Sequence, residues 1–130
     1  MRALSPSLPL RLGLGLTYLY SGIGLITEPT NWYGFAPGWV TDFVERFTTM
    51  DTFLRIQGCG ELALALLTLA WFLKPKAAFV VAILGALHVA SILAFAGIDP
   101  LTFRDIGLLG AWLAFAAISY RRGWSGGDHA

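Results

Sequence analysis

Gln57 and Glu61 are the residues of this 130-residue chain whose type and position most strongly suggest chemistry. They are four residues apart within a long apolar segment, so on a helix both side chains lie on one face. A charge in hydrocarbon costs about 2.5–3.5 kcal/mol, and a carboxylate retained there is normally paired or functional. We expect Glu61 to pair with Arg104 or His88.

A carboxylate beside a histidine and an arginine can take up or release a proton, as reduction or oxidation of a quinone head group requires. On this hypothesis the catalytic residues are Glu61, Arg104 and Asp105, and the ligand-binding residues are Tyr18, Gln57, His88 and Trp112. The alternative is structural, with Glu61, Arg104 and Asp105 forming an ion-pair network that fixes the helix register without turnover. The sequence leaves both interpretations open.

The residues needed for several other chemistries are missing. The single cysteine, Cys59, cannot form an internal disulfide or a thiolate metal site. A bis-histidine haem needs two facing histidines, whereas only His88 lies in an apolar segment and His129 is close to the C-terminus. One Glu, one Asp and one His are a thin set for a zinc or di-iron site. We therefore predict no metal and no intrinsic cofactor, with a quinone as the candidate ligand.

Four apolar segments must position these residues. Hydrophobic residues make up 56% of the chain and charged residues 13%, with a mean hydropathy of +0.66. Each segment has roughly twenty residues, enough at about 1.5 Å per residue to cross about 30 Å of hydrocarbon. The predicted spans are residues 8–26, 53–73, 77–96 and 101–120. The predicted fold class is all-α, an integral membrane four-helix bundle in one domain, and a net charge of +1 excludes a basic surface for nucleic acid.

The basic residues near the span ends determine the predicted orientation, because Lys and Arg are retained on the cytoplasmic side. One side carries Arg2, Lys74, Lys76, Arg121 and Arg122. Both termini are therefore predicted to be cytoplasmic in a multi-pass protein of the cytoplasmic membrane, with residues 121–130 as a flexible tail. Arg11 lies near the cytoplasmic boundary, roughly 15 Å from Glu61 along the membrane normal. That distance is too long for direct pairing, and we assign Arg11 a structural role.

The segment between the first two spans is too long for a simple turn. From Trp39 to Thr49, apolar residues recur at helical spacing against a polar face. This pattern predicts a short helix on the outer membrane interface. It acts either as a lid over an outward-facing pocket or only as an anchor for the bundle.

Small residues at four-residue spacing indicate where helices pack closely. The third span has the clearest stripe, formed by Ala78, Ala82, Ala86, Ala90 and Ala94. His88 is about 200° round the helix from Ala86. If the alanines face the bundle interior, His88 faces a neighbouring span or a second copy of the chain. In the second span, Gly58 and Gly60 are expected to let another helix approach beside Glu61.

Three motifs follow one another along the chain, and together they resemble the DoxX family of small four-span membrane proteins. They are Pro9-Leu10-Arg11-Leu12-Gly13 leading to Tyr20-Ser21-Gly22-Ile23, then Gly58-Cys59-Gly60-Glu61-Leu62, then Phe103-Arg104-Asp105-Ile106-Gly107. The resemblance covers nearly the whole chain and implies that the recurring polar positions are Arg11, Glu61, Arg104 and Asp105. It also implies a redox-linked membrane subunit near the quinone pool, since some members are described as the membrane subunit of thiosulfate:quinone oxidoreductases.

The leading hypothesis is therefore a DoxX-like anchor or quinone-proximal subunit of a membrane oxidoreductase. It would need a partner redox protein, because the chain lacks a self-sufficient redox centre. The alternative is a structural or scaffolding membrane protein without catalytic activity, forming a homo-oligomer through the alanine stripe. A small-molecule or lipid transporter is a third hypothesis, disfavoured because the chain has no convincing inverted repeat or proline-broken span.

Overall fold

The computed structural model describes residues 5–100 and 102–125, and all regular secondary structure in this part of the chain is helical. Helix α1 (Ser7–Thr27) is followed by a 3₁₀ helix (Pro29–Phe35) and a short α2 (Gly38–Val44). Three long helices complete the fold: α3 (Met50–Leu69), α4 (Pro75–Ala96) and α5 (Phe103–Trp124). The predicted all-α class is confirmed. Arg2, Leu101 and residues 126–130, which include His129, lie outside the described residues.

The four long helices form an up-down-up-down bundle. Helix α1 packs mainly along α3 and α4 along α5, while α1 also contacts α5 and α3 also contacts α4. The start of α1 meets the end of α3, as at Gly15 and Leu69, and Gly123 near the end of α5 meets Lys76 at the start of α4. Neighbouring helices therefore run in opposite directions.

Most of the bundle core is one cluster of apolar side chains around Trp112. Its other buried members are Leu14, Tyr18, Ala65, Ala78, Val81, Ala82, Ala86, Val89, Phe115 and Ala116. A smaller cluster at the other end, formed by Leu25, Val44, Met50 and Leu54, seats α2 against α1 and α3. Tyr18 and Trp112 thus lie in the centre of the bundle, where their positions are determined by packing.

Helix α3 begins and ends earlier than the predicted second span. It starts at Met50 because the side chain of Thr49 caps it, accepting a hydrogen bond from the Thr52 backbone N–H. It stops at Leu69, and the apolar residues that follow form the turn into α4, which opens with Pro75 at its first position. Apolar composition alone extended the predicted span to residue 73.

Helix α5 continues beyond the predicted fourth span. It runs to Trp124, with Arg121 and Arg122 in its last turn, where positive charge favours a helix C-terminus. Arg122 also donates hydrogen bonds to Ser5 and to Ser7, at 3.1 Å in the second case, which ties the end of α5 to the start of α1. The prediction of a flexible tail from residue 121 is therefore wrong for residues 121–124.

The predicted helix between the first two spans is present as α2, although it is shorter than the amphipathic pattern. Val44 is buried against α3, while Trp39 packs on Phe95 near the end of α4 with ring centroids 5.8 Å apart. Helix α2 therefore bridges α3 and α4 at one end of the bundle. The 3₁₀ helix before it was not predicted.

Two of the described helices, α3 and α4, are long and apolar enough to cross a membrane. Helices α1 and α5 have 21 and 22 residues, and the charged residues at both ends of α5 make it the most polar of the long helices. Length and composition in the described structure thus indicate two candidate spans.

The alanine stripe of α4 packs within this chain. Ala78 and Ala82 are fully buried and Ala86 nearly so, whereas Ala90 is half-buried and Ala94 exposed. The close-packing part of the stripe is therefore covered by helices of the same molecule.

Candidate functional site

Glu61 lies on the buried face of α3, with 5% of its surface exposed. Ser21 of α1 donates a hydrogen bond to Oε2, and Gln57 donates one from Nε2 to Oε1 at 3.1 Å. His88 of α4 approaches the same oxygen, with Nε2 at 3.5 Å from Oε1. Of the two partners expected for Glu61, the structure shows His88. Three helices therefore meet at one carboxylate.

His88 is also bonded through its other ring nitrogen. The Tyr18 hydroxyl lies 3.0 Å from Nδ1, and the two rings meet edge to face with centroids 5.6 Å apart. The sequence left the direction of His88 open between a neighbouring span and a second copy. It faces α1 and α3 of its own chain and links Tyr18 to Glu61.

Trp112 packs against Tyr18, at the end of the contacts that run from Glu61 through His88 to Tyr18. It is fully buried, and Tyr18 packs edge-on against it with centroids 5.2 Å apart. Its Nε1–H makes no hydrogen bond with the described residues. The indole fits because α4 has glycine at position 85, where a Cβ would lie 2.3 Å from the ring. The sequence analysis missed Gly85, although an isolated glycine inside a helical pattern often marks close packing.

The close approach of α1 to α3 brings Ser21 to Glu61. A Cβ at Gly58 would lie 2.9 Å from the carbonyl oxygen of Gly22, and one at Gly22 would lie 2.9 Å from the backbone nitrogen of Leu62. The predicted role of Gly58 in helix approach is confirmed. The same prediction for Gly60 is wrong, because a Cβ there would have no neighbour within 4 Å.

Gly60 instead lines a cleft of about 400 Å³ between α3 and α4. The other lining residues are Gln57, Glu61, Ala63, Leu64, Leu67, Leu84 and His88. The cleft is open on the side of the bundle, and its wall is almost entirely apolar apart from the groups around Glu61. An elongated apolar molecule with a polar end fits this combination, since the polar end meets a carboxylate and an imidazole.

Arg104 and Asp105 lie in the first turn of α5, outside this group of contacts. Arg104 is exposed and Asp105 half-buried. Asp105 is close enough to interact electrostatically with His88 and Tyr18, but the polar contacts of Glu61 are those with Ser21, Gln57 and His88. The structure therefore brings together Tyr18, Gln57, Glu61 and His88 and places Arg104 at the periphery.

Arg11 has a defined structural contact. Its Nη1 donates hydrogen bonds to the backbone oxygens of Thr68 at 3.3 Å and Ala70 at 2.8 Å, and its guanidinium lies 5.1 Å from the Phe115 ring centroid. Because the last carbonyls of a helix lack partners within it, Arg11 caps the C-terminus of α3. The sequence predicted a structural role but not this partner.

A second, polar depression of about 390 Å³ lies at the end of the bundle that carries the 3₁₀ helix, between Glu28 and Arg55. Beside it, Tyr33 donates a hydrogen bond to Asp51, and this carboxylate raises the pKa of the Tyr33 phenol above its usual range. Within residues 5–100 and 102–125, no three His, Cys, Asp or Glu side chains are grouped as a metal ion requires.

Comparison with protein-family models, curated proteins and solved structures finds no match to this chain.

Proposed function

We propose that the chain is a DoxX-like four-helix membrane protein that binds a quinone in the cleft between α3 and α4 and serves as the quinone-proximal subunit of an oxidoreductase. The observation that carries the proposal is that this apolar cleft ends on Glu61 and His88. A lipid-soluble molecule with a polar head group can enter such a cleft sideways from a bilayer.

The bundle's dimensions and surface support a four-span arrangement. Its long helices have 20–22 residues, or about 30 Å each. Large apolar side chains are exposed along all four helices. Examples are Leu16, Ile56, Leu87 and Leu113, which are 52–66% exposed. A bilayer covers such surfaces, whereas water penalises them.

The charges support an orientation with both termini cytoplasmic. Among the described residues, one end of the bundle carries Arg11, Lys74, Lys76, Arg121 and Arg122 and no acidic side chain. The other end carries Glu28, Asp42, Glu45, Asp51, Asp99 and Asp105 with three arginines. This asymmetry matches the retention of basic residues on the cytoplasmic side and supports a position of α2 on the outer interface.

The groups at the end of the cleft suit both redox forms of a quinone. A quinol hydroxyl donates to the Glu61 carboxylate, and a quinone carbonyl accepts from His88. Oxidation of the quinol releases two electrons and two protons. The Glu61–His88 pair takes up these protons one after the other and releases each to bulk water, while both electrons pass to a redox centre of the partner protein, since the side chains that line the cleft hold no redox-active group.

The full pairing of Glu61 favours a second candidate function. A carboxylate with three polar partners can serve only to hold three helices in register. In that case the chain is a membrane scaffold. A homo-oligomer would then use a surface other than the alanine stripe, whose closely packed part is covered within the chain.

A Glu61→Gln variant separates the two functions. We expect the purified wild-type protein in nanodiscs to bind decylubiquinol saturably, and the variant to bind it about 10- to 100-fold more weakly, because a hydrogen bond to a charged acceptor contributes about 1.5–3 kcal/mol. Titration monitored by Trp fluorescence measures the affinity. The matched control is Glu45→Gln, which changes an exposed carboxylate.

The scaffold function predicts a different pair of results. The wild type would bind no quinol, and Glu61→Gln would only lower the thermal midpoint of unfolding. A wild-type protein without saturable binding would therefore contradict the quinone proposal.

A further inference from the structure

We infer that Tyr18 holds His88 in the Nε2–H tautomer and thereby gives the cleft a hydrogen-bond donor for a carbonyl oxygen; the quinone identity of that carbonyl rests on the proposed function. The inference follows from the two nitrogen contacts of one imidazole. It assigns Tyr18, which is 4% exposed and does not line the cleft, a positioning role.

The hydrogen bonds of the neutral ring distinguish its two tautomers. A neutral imidazole has one N–H donor and one bare nitrogen acceptor. With the proton on Nε2, that N–H lies on the side of the Glu61 carboxylate, with Nε2 3.5 Å from Oε1, and the bare Nδ1 accepts from the Tyr18 hydroxyl. Both contacts are then favourable.

The opposite tautomer is less favourable at both ring nitrogens. A bare Nε2 would direct its lone pair at the Glu61 carboxylate, which is also an acceptor. The Tyr18 hydroxyl would accept from Nδ1–H and lose the acceptor for its own proton, since that acceptor is Nδ1 of His88. In the bundle centre such an unpaired donor is costly.

The long contact between His88 and Glu61 leaves the N–H available to a ligand. At 3.5 Å it exceeds the usual 2.7–3.2 Å of an N–H···O bond. The Glu61 oxygen that it faces already accepts from Gln57 at 3.1 Å. A carbonyl oxygen in the cleft can therefore take the Nε2–H while Glu61 keeps Gln57 and Ser21 as donors.

Loss of the Tyr18 hydroxyl removes the group that selects the tautomer. In a Tyr18→Phe variant, the Nδ1–H form becomes populated and presents a bare Nε2 to the cleft. A quinone carbonyl then loses its donor, whereas a quinol hydroxyl gains an acceptor. The oxidised ligand should therefore be weakened more than the reduced one.

The tautomer is measured directly by ¹⁵N NMR of the two imidazole nitrogens. His129→Gln leaves His88 as the only histidine of the chain, and ¹⁵N-histidine labelling at a pH where the ring is neutral reports which nitrogen carries the proton. We expect Nε2–H in this background, a mixture after Tyr18→Phe, and no change after Tyr20→Phe. Tyr20 is 79% exposed and provides the matched control.

Ligand selectivity is measured on the same proteins in nanodiscs. Tyr18→Phe should bind decylubiquinone about tenfold more weakly and decylubiquinol within twofold of the wild type, while Tyr20→Phe changes neither affinity. An Nδ1–H signal in the His129→Gln protein, which keeps Tyr18, would overturn the inference. So would unchanged nitrogen shifts in Tyr18→Phe, or equal weakening of both ligands.

The two proposals can fail separately. If the tautomer shifts as expected but neither decylubiquinone nor decylubiquinol binds the wild type, the quinone function is wrong and the positioning role of Tyr18 stands. If both ligands bind and the tautomer is unaffected by Tyr18→Phe, the quinone function stands and the role of Tyr18 is wrong.

Discussion

Glu61 contacts the hydroxyl of Ser21, the amide of Gln57 and the imidazole of His88. The sequence made these three contacts predictable to different degrees. Gln57 was predictable because it lies one helical turn away on the same helix. His88 was one of two expected partners. Ser21 was not identified, because its four-residue spacing from Thr17 and Gly13 is typical of a packing face. Pairing across helices depends on rotation about the helix axes, which one sequence does not specify.

The capping of the α3 C-terminus by Arg11 can be tested with a single substitution. Arg11→Lys should lower the free energy of unfolding by about 1–2 kcal/mol, because a lysine keeps the charge but not the fork geometry that reaches both Thr68 and Ala70. Chemical denaturation in detergent micelles measures the difference. Arg121→Lys is the control, since Arg121 is exposed in the last turn of α5. Equal stability of the two variants would contradict the capping role.

At the scale of elements, the site depends on how closely α1 approaches α3. Four apolar segments of about twenty residues predicted the four long helices, and each helix overlaps its predicted segment. These segments did not predict the end of α3 at Leu69, because the residues after it are as apolar as those within it. Helix ends depend on caps, and here the cap is Arg11, more than fifty residues away in sequence.

Gly58 and Gly60 of α3 allow a matched test of how closely α1 approaches α3. Gly58→Ala should destabilise the protein by about 1–3 kcal/mol, because its Cβ would lie 2.8 Å from Leu25 and 2.9 Å from the Gly22 oxygen. Gly60→Ala should leave stability unchanged or raise it by up to about 1 kcal/mol, since alanine favours helix and meets no neighbour there. Thermal unfolding followed by circular dichroism measures the stability of both variants. A Gly60→Ala variant less stable than Gly58→Ala would refute the close approach of α1 to α3 at Gly58.

At the scale of the whole molecule, the cleft lies where the α1–α3 pair meets the α4–α5 pair. Each pair is closely packed by small residues, while α3 and α4 share fewer contacts and leave space beside Glu61. The close packing of α4 on α5 depends on Gly85 and Trp112, which come from different helices. The sequence could predict the polar groups of the site, because polar side chains are costly within an apolar segment and therefore stand out. It could not predict the cleft between α3 and α4, because that space depends on how the helices pack.

The most direct test of the central claim is to fill the cleft and measure quinone binding. Gly60→Leu places a side chain in the cleft, and Gly110→Leu makes the same change on the exposed face of α5, where a Cβ also has no neighbour within 4 Å. In nanodisc titrations with decylubiquinone, we expect at least a tenfold loss of affinity for Gly60→Leu and wild-type affinity for Gly110→Leu. Equal affinity of both variants and the wild type would contradict binding in the cleft between α3 and α4.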